Sequence, residues 1–380
     1  MIFALALFLS AYYLFVVFFL YRGLSRTPQG PLNRQRLSYS VLIACRNEEE
    51  HIEACVDSVF AQDYPADRFE VIVINDRSTD ATPRCLERLH LRHPTLIIIN
   101  VADCPVGVAP KKHALEQGAT RAKNDILLFT DADCCVPFSW ISAINKAFSE
   151  DTVILSGPTS YDRPPEMNRF FWGLQSMDFL SHGIVAAAAM GAGLPINTNA
   201  NNLAVRKNTY QAASAFHRLR NVISGDDDLL LQAIAEQERE GIRYLFDPQA
   251  AVITAPSRTL AQIWEQRKRW SSKTVYYRPL AAAFLAGIFI YYLFILMLFM
   301  TLSWHPSFLP LWVALWLFKT GADFLLTLRG MARFRQWQLL PYFFPAALLH
   351  IPLIVGAVLG GLFGRFTWKG LRTGKRRTSC

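Results

Sequence analysis

The sequence predicts an α/β fold: a sheet domain, parallel at least in its first half, joined to transmembrane helices. Three observations lead to this prediction. Hydrophobic residues make up 52% of the 380 residues and charged residues only 18%, a composition shifted toward membrane proteins. Long apolar stretches lie near both ends of the chain. Between them, short apolar runs alternate with amphipathic helical periods, as in a sheet covered by helices.

The first apolar stretch, residues 1–21, is long enough for one membrane crossing, which needs about 20 residues. A cleaved signal peptide would begin with basic residues and end at small ones. Here the basic residues Arg22 and Arg26 follow the segment instead. We therefore expect an uncleaved anchor whose C-terminal end faces the cytoplasm.

Three more apolar runs lie toward the other end, at residues 280–302, 308–328 and 339–363. A short turn separates the first two, so we expect a helical hairpin, after which the basic residues 329–335 face the cytoplasm. Two arrangements stay open for the last run: a full crossing, or a re-entrant or interfacial segment. Within the middle run, Lys319 and Asp323 are four residues apart and can pair on one helical face. Charges inside a span suggest a function, although a pair at the membrane interface with no chemical role is equally compatible.

The sheet domain begins at Ser38. Its predicted strands are Val41–Cys45, Val71–Ile74, Leu96–Val101 and Ile126–Thr130, and its predicted helices include 52–60, Ala81–Arg92 and Lys111–Ala122. Ligands of such sheets bind outside the carboxyl ends of the strands. Glu48, Asp76 and Asp131 follow three strands and are therefore expected along one edge.

The second half of this domain is less regular. Residues 168–191 are aromatic and then alanine-rich, which fits either a membrane-facing helix or an acceptor loop. Asp226–Glu240 predicts a helix with acidic residues in its first turn, favourable at a helix N-terminus. Ile263–Tyr277 is basic and aromatic and predicts an interfacial helix.

Composition also excludes some functions. The net charge of +9 does not indicate nucleic-acid binding, because many basic residues cluster beside apolar stretches, as in cytoplasmic loops near anionic headgroups. The seven cysteines lack metal-ligand spacing and predict reduced thiols, hence a sheet domain in the cytosol.

Three polar motifs carry the predicted chemistry. Asp131-Ala132-Asp133 follows a buried strand, where carboxylates suit a hard divalent cation; the alternative is a solvated turn. Asp226-Asp227-Asp228 supplies clustered carboxylates, or merely begins a helix. Gln266, Arg269 and Trp270 share one helical face, where Trp can stack on a ring and Arg can bind phosphate oxygens; the alternative is membrane-interface anchoring.

These motifs, in this order and with Asp76 before them, resemble the membrane-bound family 2 glycosyltransferases over roughly residues 38–275. The motifs correspond to the family's DxD, acidic and QxxRW motifs. The resemblance implies a GT-A type, Rossmann-like sheet domain that transfers a sugar from a nucleotide-diphosphate donor, with inversion. Two departures are present: Asn75-Asp76-Arg77-Ser78 replaces the commoner Asp-Asp-Gly-Ser, and Pro110 replaces a glycine before Lys111.

The resemblance also implies roles for single residues. Asp131 and Asp133 hold Mg²⁺ or Mn²⁺, and Asp227 is the general base. On the donor side, Asp76 contacts the base or ribose of the nucleotide. Lys111 either contacts a donor phosphate or is a solvated lysine, and Glu48 lies at the same sheet edge. Gln266 and Arg269 contact pyrophosphate, and Trp270 stacks on a sugar or acceptor.

The expected enzyme is a multi-pass, hexosyltransferase-type protein of the cell membrane and envelope, with its catalytic domain in the cytoplasm. A UDP-sugar is the favoured donor, and the acceptor is a lipid or a polysaccharide. The alternatives are a non-catalytic membrane scaffold that keeps the fold and, from Lys319 and Asp323, a transporter. The expected domains are an anchor at 1–21, the transferase domain with its interfacial helix at 38–278, membrane segments with two or three crossings at 280–363, and a basic tail at 364–380.

Overall fold

The computed structural model describes residues 1–27, 33–214, 220–368 and 371–373. The described chain divides into two compact units. A sheet unit contains residues 33–164 and 197–256, and a helical unit contains residues 1–27, 165–196 and those described from 257 onward.

The helices are α1 (Ile2–Arg26), α2 (Ile52–Phe60), α3 (Thr82–Arg92), α4 (Pro110–Arg121), α5 (Trp140–Ala147), α6 (Arg169–Gly191), α7 (Lys207–Ser214), α8 (Asp228–Gln237), α9 (Leu260–Ser272), α10 (Pro279–Thr301), α11 (Leu309–Phe334) and α12 (Phe343–Phe363). The strands are β1 (Tyr39–Cys45), β2 (Phe69–Asp76), β3 (Ile97–Val101), β4 (Ile126–Phe129), β5 (Cys134–Cys135), β6 (Ile154–Ser156), β7 (Thr159–Tyr161), β8 (Leu203–Arg206), β9 (Ile242–Tyr244), β10 (Val252–Thr254), β11 (Phe366–Trp368) and β12 (Leu371–Thr373).

The main sheet has seven strands in the order β3-β2-β1-β4-β8-β6-β9. Strands β1 to β4 are parallel to one another, as the sequence predicts. Strand β8 then runs antiparallel to both β4 and β6. The result is a mixed α/β sheet, and a smaller sheet of β5, β10 and β7 lies in the same unit.

The sheet forms because its central strands are apolar on both faces. Val41 and Ile43 of β1 and Ile72 and Val73 of β2 are fully buried. Burying one such side chain contributes roughly 1.5–3 kcal/mol. Trp140 of α5 is also fully buried in the core, so the helices close over the sheet and only its edges stay accessible.

Within the described residues, four helical segments are long and apolar enough to cross a membrane: Ile2–Arg26, Pro279–Thr301, Pro306–Phe334 and Trp337–Phe363. They coincide with the four apolar runs of the sequence. The last run, for which a full crossing and a re-entrant or interfacial segment were both open, contains a continuous helix of 21 residues with Pro352 inside it. Residues 366–368 and 371–373 of the basic tail form an antiparallel hairpin, and residues 369–370 and 374–380 lie outside the described residues.

The aromatic and alanine-rich segment forms the helix α6. Of the two structures left open for it, a helix and a loop, the helix is therefore observed. Its N-terminus is capped by the Asn168 side chain, which accepts from the backbone N–H groups of Phe170 and Phe171. Helix α6 packs closely on α1: a Cβ at Gly23 would lie 2.0 Å from the Ala188 carbonyl oxygen, and one at Gly191 would lie 2.1 Å from the Gly23 oxygen. Two glycines are therefore required at this contact.

Residues 165–196 and 257–278, which the sequence assigns to the transferase domain, thus cluster with the apolar helices rather than with the sheet. The α1 to α6 backbone contact is one physical reason. The division of the chain by function stays a prediction.

Candidate active site

The carboxyl ends of the parallel strands lie side by side. Cys45 of β1 is in register with Asn75 of β2, and Leu42 of β1 is in register with Phe129 of β4. The loops after β1 and β2 are tied together, because the Glu48 backbone N–H donates to Thr82 Oγ1 over 2.8 Å. The segments that carry Glu48, Asp76 and Asp131 therefore follow neighbouring strands of one sheet edge.

Lys111, at the start of α4, joins two acidic motifs. Its Nζ lies 2.7 Å from Asp131 Oδ1 and 2.7 Å from Asp226 Oδ2. Burial opposes the charged form of this lysine, but the two carboxylates outweigh it and hold the pKa of Lys111 above its ordinary value. Lys111 is therefore an ammonium at neutral pH and not a solvated surface lysine.

Asp131 is the most crowded carboxylate of this site. Burial raises its pKa, Lys111 lowers it, and the neighbouring carboxylates of Asp133 and Asp226 raise it; the net direction is upward. A further cation between these carboxylates would reduce their mutual repulsion and favour their ionised forms. The site is therefore arranged to attract positive charge beyond that of Lys111.

Asp131, Asp133 and Cys134 form a possible metal site, since one ligand atom from each lies within 4.8 Å of the others. Asp133 is exposed and Cys134 is buried. Burial and the two carboxylates raise the pKa of the Cys134 thiol well above its usual value, and its Sγ lies 3.5 Å from Asp133 Oδ1 as a donor. The carboxylates of Asp131 and Asp133 offer oxygen ligands, which suit a hard cation such as Mg²⁺ or Mn²⁺.

The three consecutive aspartates have different surroundings. Asp226 pairs with Lys111. Asp227 is the N-cap of α8, and its Oδ1 accepts from the Asp228 backbone N–H over 2.6 Å. Asp228 is buried, and its Oδ1 accepts from the Thr198 backbone N–H over 2.9 Å. The structure thus brings Asp226 to the Asp131 carboxylate through Lys111, while Asp228 fixes the loop before β8.

Asp76 is buried at the end of β2 and pairs with the next residue: Arg77 Nε lies 2.9 Å from Asp76 Oδ1. Arg77 occupies the position where the resemblance expects glycine, and it keeps the backbone of a glycine, with φ +53°. A left-handed non-glycine residue costs roughly 1–2 kcal/mol. Its side chain covers the carboxylate that was expected to meet the donor nucleoside.

Gln266, Arg269 and Trp270 lie on α9 in the helical unit. The Trp270 ring is half-buried and contacts side chains of this unit. The His182 ring contacts it edge-on at 5.3 Å, and the Arg267 guanidinium lies 4.2 Å from its centroid. A cation over the indole face holds the ring orientation.

Several residues of these two regions were not singled out in the sequence. Arg267, buried, pairs with Asp178 of α6. Arg220 pairs with Glu116 of α4, next to Lys111. Their partners are distant along the chain, so no local pattern could have indicated them. Cys135, next to the candidate metal site, is exposed, and none of the described cysteines forms a disulfide.

Asn201 lies beside the candidate metal site. Its Nδ2 lies 3.6 Å from Cys134 Sγ and its Oδ1 accepts from Thr159 Oγ1. The neighbouring Asn202 is buried and donates to the Pro158 and Ala250 carbonyl oxygens. This pair of asparagines therefore supports the loop behind the metal site.

This chain is similar to several known proteins in sequence and in structure. The chain is 32% identical over 112 residues to beta-monoglucosyldiacylglycerol synthase of Synechocystis, which covers 30% of this chain and 23% of that protein. It is 26% identical over 234 residues to poly-beta-1,6-N-acetyl-D-glucosamine synthase of Staphylococcus aureus, covering 60% of this chain and 53% of that one. The chain thus spans about half or less of the length of these curated relatives.

A solved mannosyltransferase of Pyrobaculum calidifontis, in complex with GDP-Man and Mn²⁺, superimposes with a TM-score of 0.58 at 19% identity, covering 95% of this chain and 99% of that chain. This likeness confirms the GT-A type of fold. The family model for glycosyl transferase family 2 matches residues 40–209, and that for glycosyl transferase family group 2 matches residues 126–353, more than half of the chain. The chain therefore belongs to the family 2 glycosyltransferases.

Proposed function

We propose that this protein transfers a sugar from a nucleotide-diphosphate sugar to an acceptor at a membrane, with inversion at the anomeric carbon. The observation that carries the proposal is the Lys111 ammonium held between Asp131 and Asp226. It joins the expected donor-side and acceptor-side acidic motifs in one cluster at the carboxyl edge of the sheet. A scaffold that only kept the fold would not need a charged lysine between these motifs.

On the donor side, the diphosphate carries clustered negative charge. Lys111 and a cation held by Asp131 and Asp133 would balance it. A bound Mg²⁺ or Mn²⁺ supplies Lewis-acid stabilisation of the departing diphosphate. Asp76 at the nucleoside and Glu48 at the same edge stay proposed donor contacts, and Arg77 adds a cation beside them. We favour a UDP-sugar over a GDP-sugar as donor.

On the acceptor side, a base must take the proton of the attacking hydroxyl. We assign this role to Asp227, because Asp226 is engaged by Lys111 and Asp228 is buried against Thr198. A positioned carboxylate contributes typically ~10²–10⁴-fold to such a step. Gln266, Arg269 and Trp270 stay proposed contacts of the pyrophosphate and of a sugar or acceptor ring.

The proposed acceptor is a lipid or a glycan at the membrane, since one relative is named a beta-monoglucosyldiacylglycerol synthase and another a poly-beta-1,6-N-acetyl-D-glucosamine synthase. We propose a multi-pass cell-membrane protein with its sheet unit in the cytoplasm. Arg22 and Arg26 end the first apolar helix, and Arg329 to Arg335 end the third, which supports this orientation.

The test is transfer of radiolabel from a panel of UDP- and GDP-sugars to a membrane lipid extract and to an oligosaccharide pool. We expect label in a lipid or glycan fraction with at least one donor, and none after addition of EDTA. The matched control is the protein with Asp133→Asn. Absence of transfer from every donor, with nucleotide sugars failing to bind, would favour the scaffold alternative.

A further inference from the structure

A polar cluster lies within the helical unit, where all four membrane-length helices meet. Lys319 of α11 is fully buried, and its Nζ lies 2.8 Å from Asp323 Oδ2 and 3.0 Å from His350 Nδ1 of α12. The Tyr13 hydroxyl of α1 donates to Asp323 Oδ1 over 2.5 Å. The Tyr13 and Tyr292 hydroxyls are 3.0 Å apart, and Tyr292 belongs to α10. Each of the four helices thus contributes at least one polar group.

Such a cluster is costly in this position. A charged side chain at the centre of a membrane helix is costly, and pairing Lys319 with Asp323 offsets only part of that cost. Charged groups inside membrane segments accordingly tend to mark binding or transport sites. A cluster that only joined helices could be built from uncharged groups.

A cavity of about 140 Å³ adjoins the cluster. Its walls are largely apolar and come from α1, α6, α10, α11 and α12. Its polar end is formed by Tyr13, Tyr292, Lys319, Asp323 and His350. The Asp323 side chain is 20% exposed and that of Lys319 only 1%. The reachable group at the polar end is therefore a hydrogen-bond acceptor, the Asp323 carboxylate.

The charges around the cavity argue against an anionic ligand. Lys319 is the one lysine or arginine among the described lining residues, and Asp323 already neutralises it. Its contact with His350 Nδ1 requires that nitrogen to accept a hydrogen bond, so the imidazole is neutral. The second lining carboxylate, Asp178, is paired with Arg267. Among the described lining residues, a phosphate would meet two carboxylates and one lysine that is already paired with Asp323.

We propose that this cavity binds the head of a neutral lipid with a free hydroxyl, of the diacylglycerol class. The hydroxyl would donate to Asp323, and the acyl chains would follow the apolar walls. A cavity of roughly 150 Å³ holds one benzene molecule, so about six non-hydrogen atoms, the size of a glyceryl head, fit here. This binding site is separate from the proposed transfer, whose acceptor hydroxyl must reach Asp227 in the sheet unit.

The test uses the full chain in phosphatidylcholine nanodiscs, without nucleotide sugar, and a diacylglycerol analogue with a photoreactive diazirine near the glyceryl head. We expect cross-links to peptides of α11 and α12. Excess unlabelled diacylglycerol should abolish them, and phosphatidic acid with the same acyl chains should not. The cavity-filling variant Ala346→Phe should reduce labelling at least tenfold.

The matched control is Ala314→Phe, the same substitution at an exposed position of α11 outside the cavity, which should leave labelling unchanged. If Ala346→Phe does not fold, Ser181→Leu fills the cavity from α6 and decides the question. Equal labelling in a folded filling variant, or equal competition by phosphatidic acid, would overturn the proposal.

The two proposals fail separately. Specific labelling combined with no transfer from any donor would reject the glycosyl transfer and keep the lipid site. Transfer to a lipid combined with an unlabelled cavity would do the reverse.

Discussion

Each unit contains a lysine that pairs with carboxylates, two in the sheet unit and one in the helical unit. In the sheet unit, Lys111 joins Asp131 and Asp226 from distant segments, and the Lys111 and Asp131 side chains are 21% and 34% exposed. In the helical unit, Lys319 pairs with Asp323 one turn along the same helix and is 1% exposed, whereas the Asp323 side chain is 20% exposed. The Lys111 ammonium is therefore accessible to a ligand from water and the Lys319 ammonium is not. We accordingly expect charged ligands beside Lys111 and uncharged ligands beside Asp323.

The largest expected effect concerns the sheet unit. Asp227→Asn keeps the size of the helix cap and its hydrogen bond but cannot take a proton, so transfer should fall by at least ~10²-fold. Donor binding, measured by calorimetry, should stay nearly unchanged. Asp228→Asn is the control: its amide oxygen can still accept from Thr198 N–H, and the loss should be much smaller. If Asp228→Asn abolishes transfer and Asp227→Asn does not, the base is one residue further along.

The second prediction tests the ion pair of Lys319 and Asp323. Lys319→Met leaves Asp323 buried without its cation, and breaking one half of a buried ion pair costs roughly 3–5 kcal/mol. The thermal unfolding temperature in detergent should fall clearly. Lys319→Met combined with Asp323→Leu should recover most of the loss, because no charge then stays unpaired. A double variant as unstable as the single one would show that the pair itself stabilises the helices.

The third prediction concerns the candidate metal site at Asp131 and Asp133. Asp133→Asn removes an exposed carboxylate that a hard cation would use, so donor affinity in Mn²⁺ or Mg²⁺ should fall by roughly tenfold or more. In EDTA the variant and the original protein should bind donor equally weakly. Full transfer activity in EDTA would contradict the metal role.

The smallest expected effect is that of Arg77→Gly. Relief of the left-handed backbone, roughly 1–2 kcal/mol, offsets the loss of a partly exposed ion pair with Asp76. The unfolding temperature should change little, while the KM for the donor changes by less than about tenfold and kcat stays constant. Arg77→Lys serves as the control that keeps the charge and the strain. A loss of kcat with Arg77→Gly would mean that Arg77 takes part in the chemistry.

Much of the sheet unit was predictable because its signals are local. The runs around Val41, Val71 and Ile126 are apolar on both faces, which predicts parallel strands, and the polar residues directly after them predict the site edge. The four apolar helices were predictable for the same reason. Residues 168–191 left two structures open because an alanine-rich segment has no strong period, and only its contact with Gly23 selects the helix.

The contacts that complete each site were not predictable. Lys111 had two equal interpretations, since nothing local indicates that Asp226 lies on its other side. Lys319 and Asp323 were predicted as a pair, but Tyr13 and His350 join them from other helices. The left-handed backbone of Arg77 was also not predictable, because arginine rarely adopts a positive φ. Pairings of this kind depend on tertiary packing and carry no spacing signal.

The exposed Cys135 gives the protein a chemical reporter of its own. It lies two residues after Asp133, and the other cysteines of its neighbourhood, Cys55 and Cys134, are buried. Alkylation followed by mass spectrometry can therefore read occupancy of the metal site in native membranes, without purification or an engineered label. Donor and cation together should slow modification of Cys135 relative to the half-buried Cys104. Such a footprint would permit ligands to be screened before the acceptor is known.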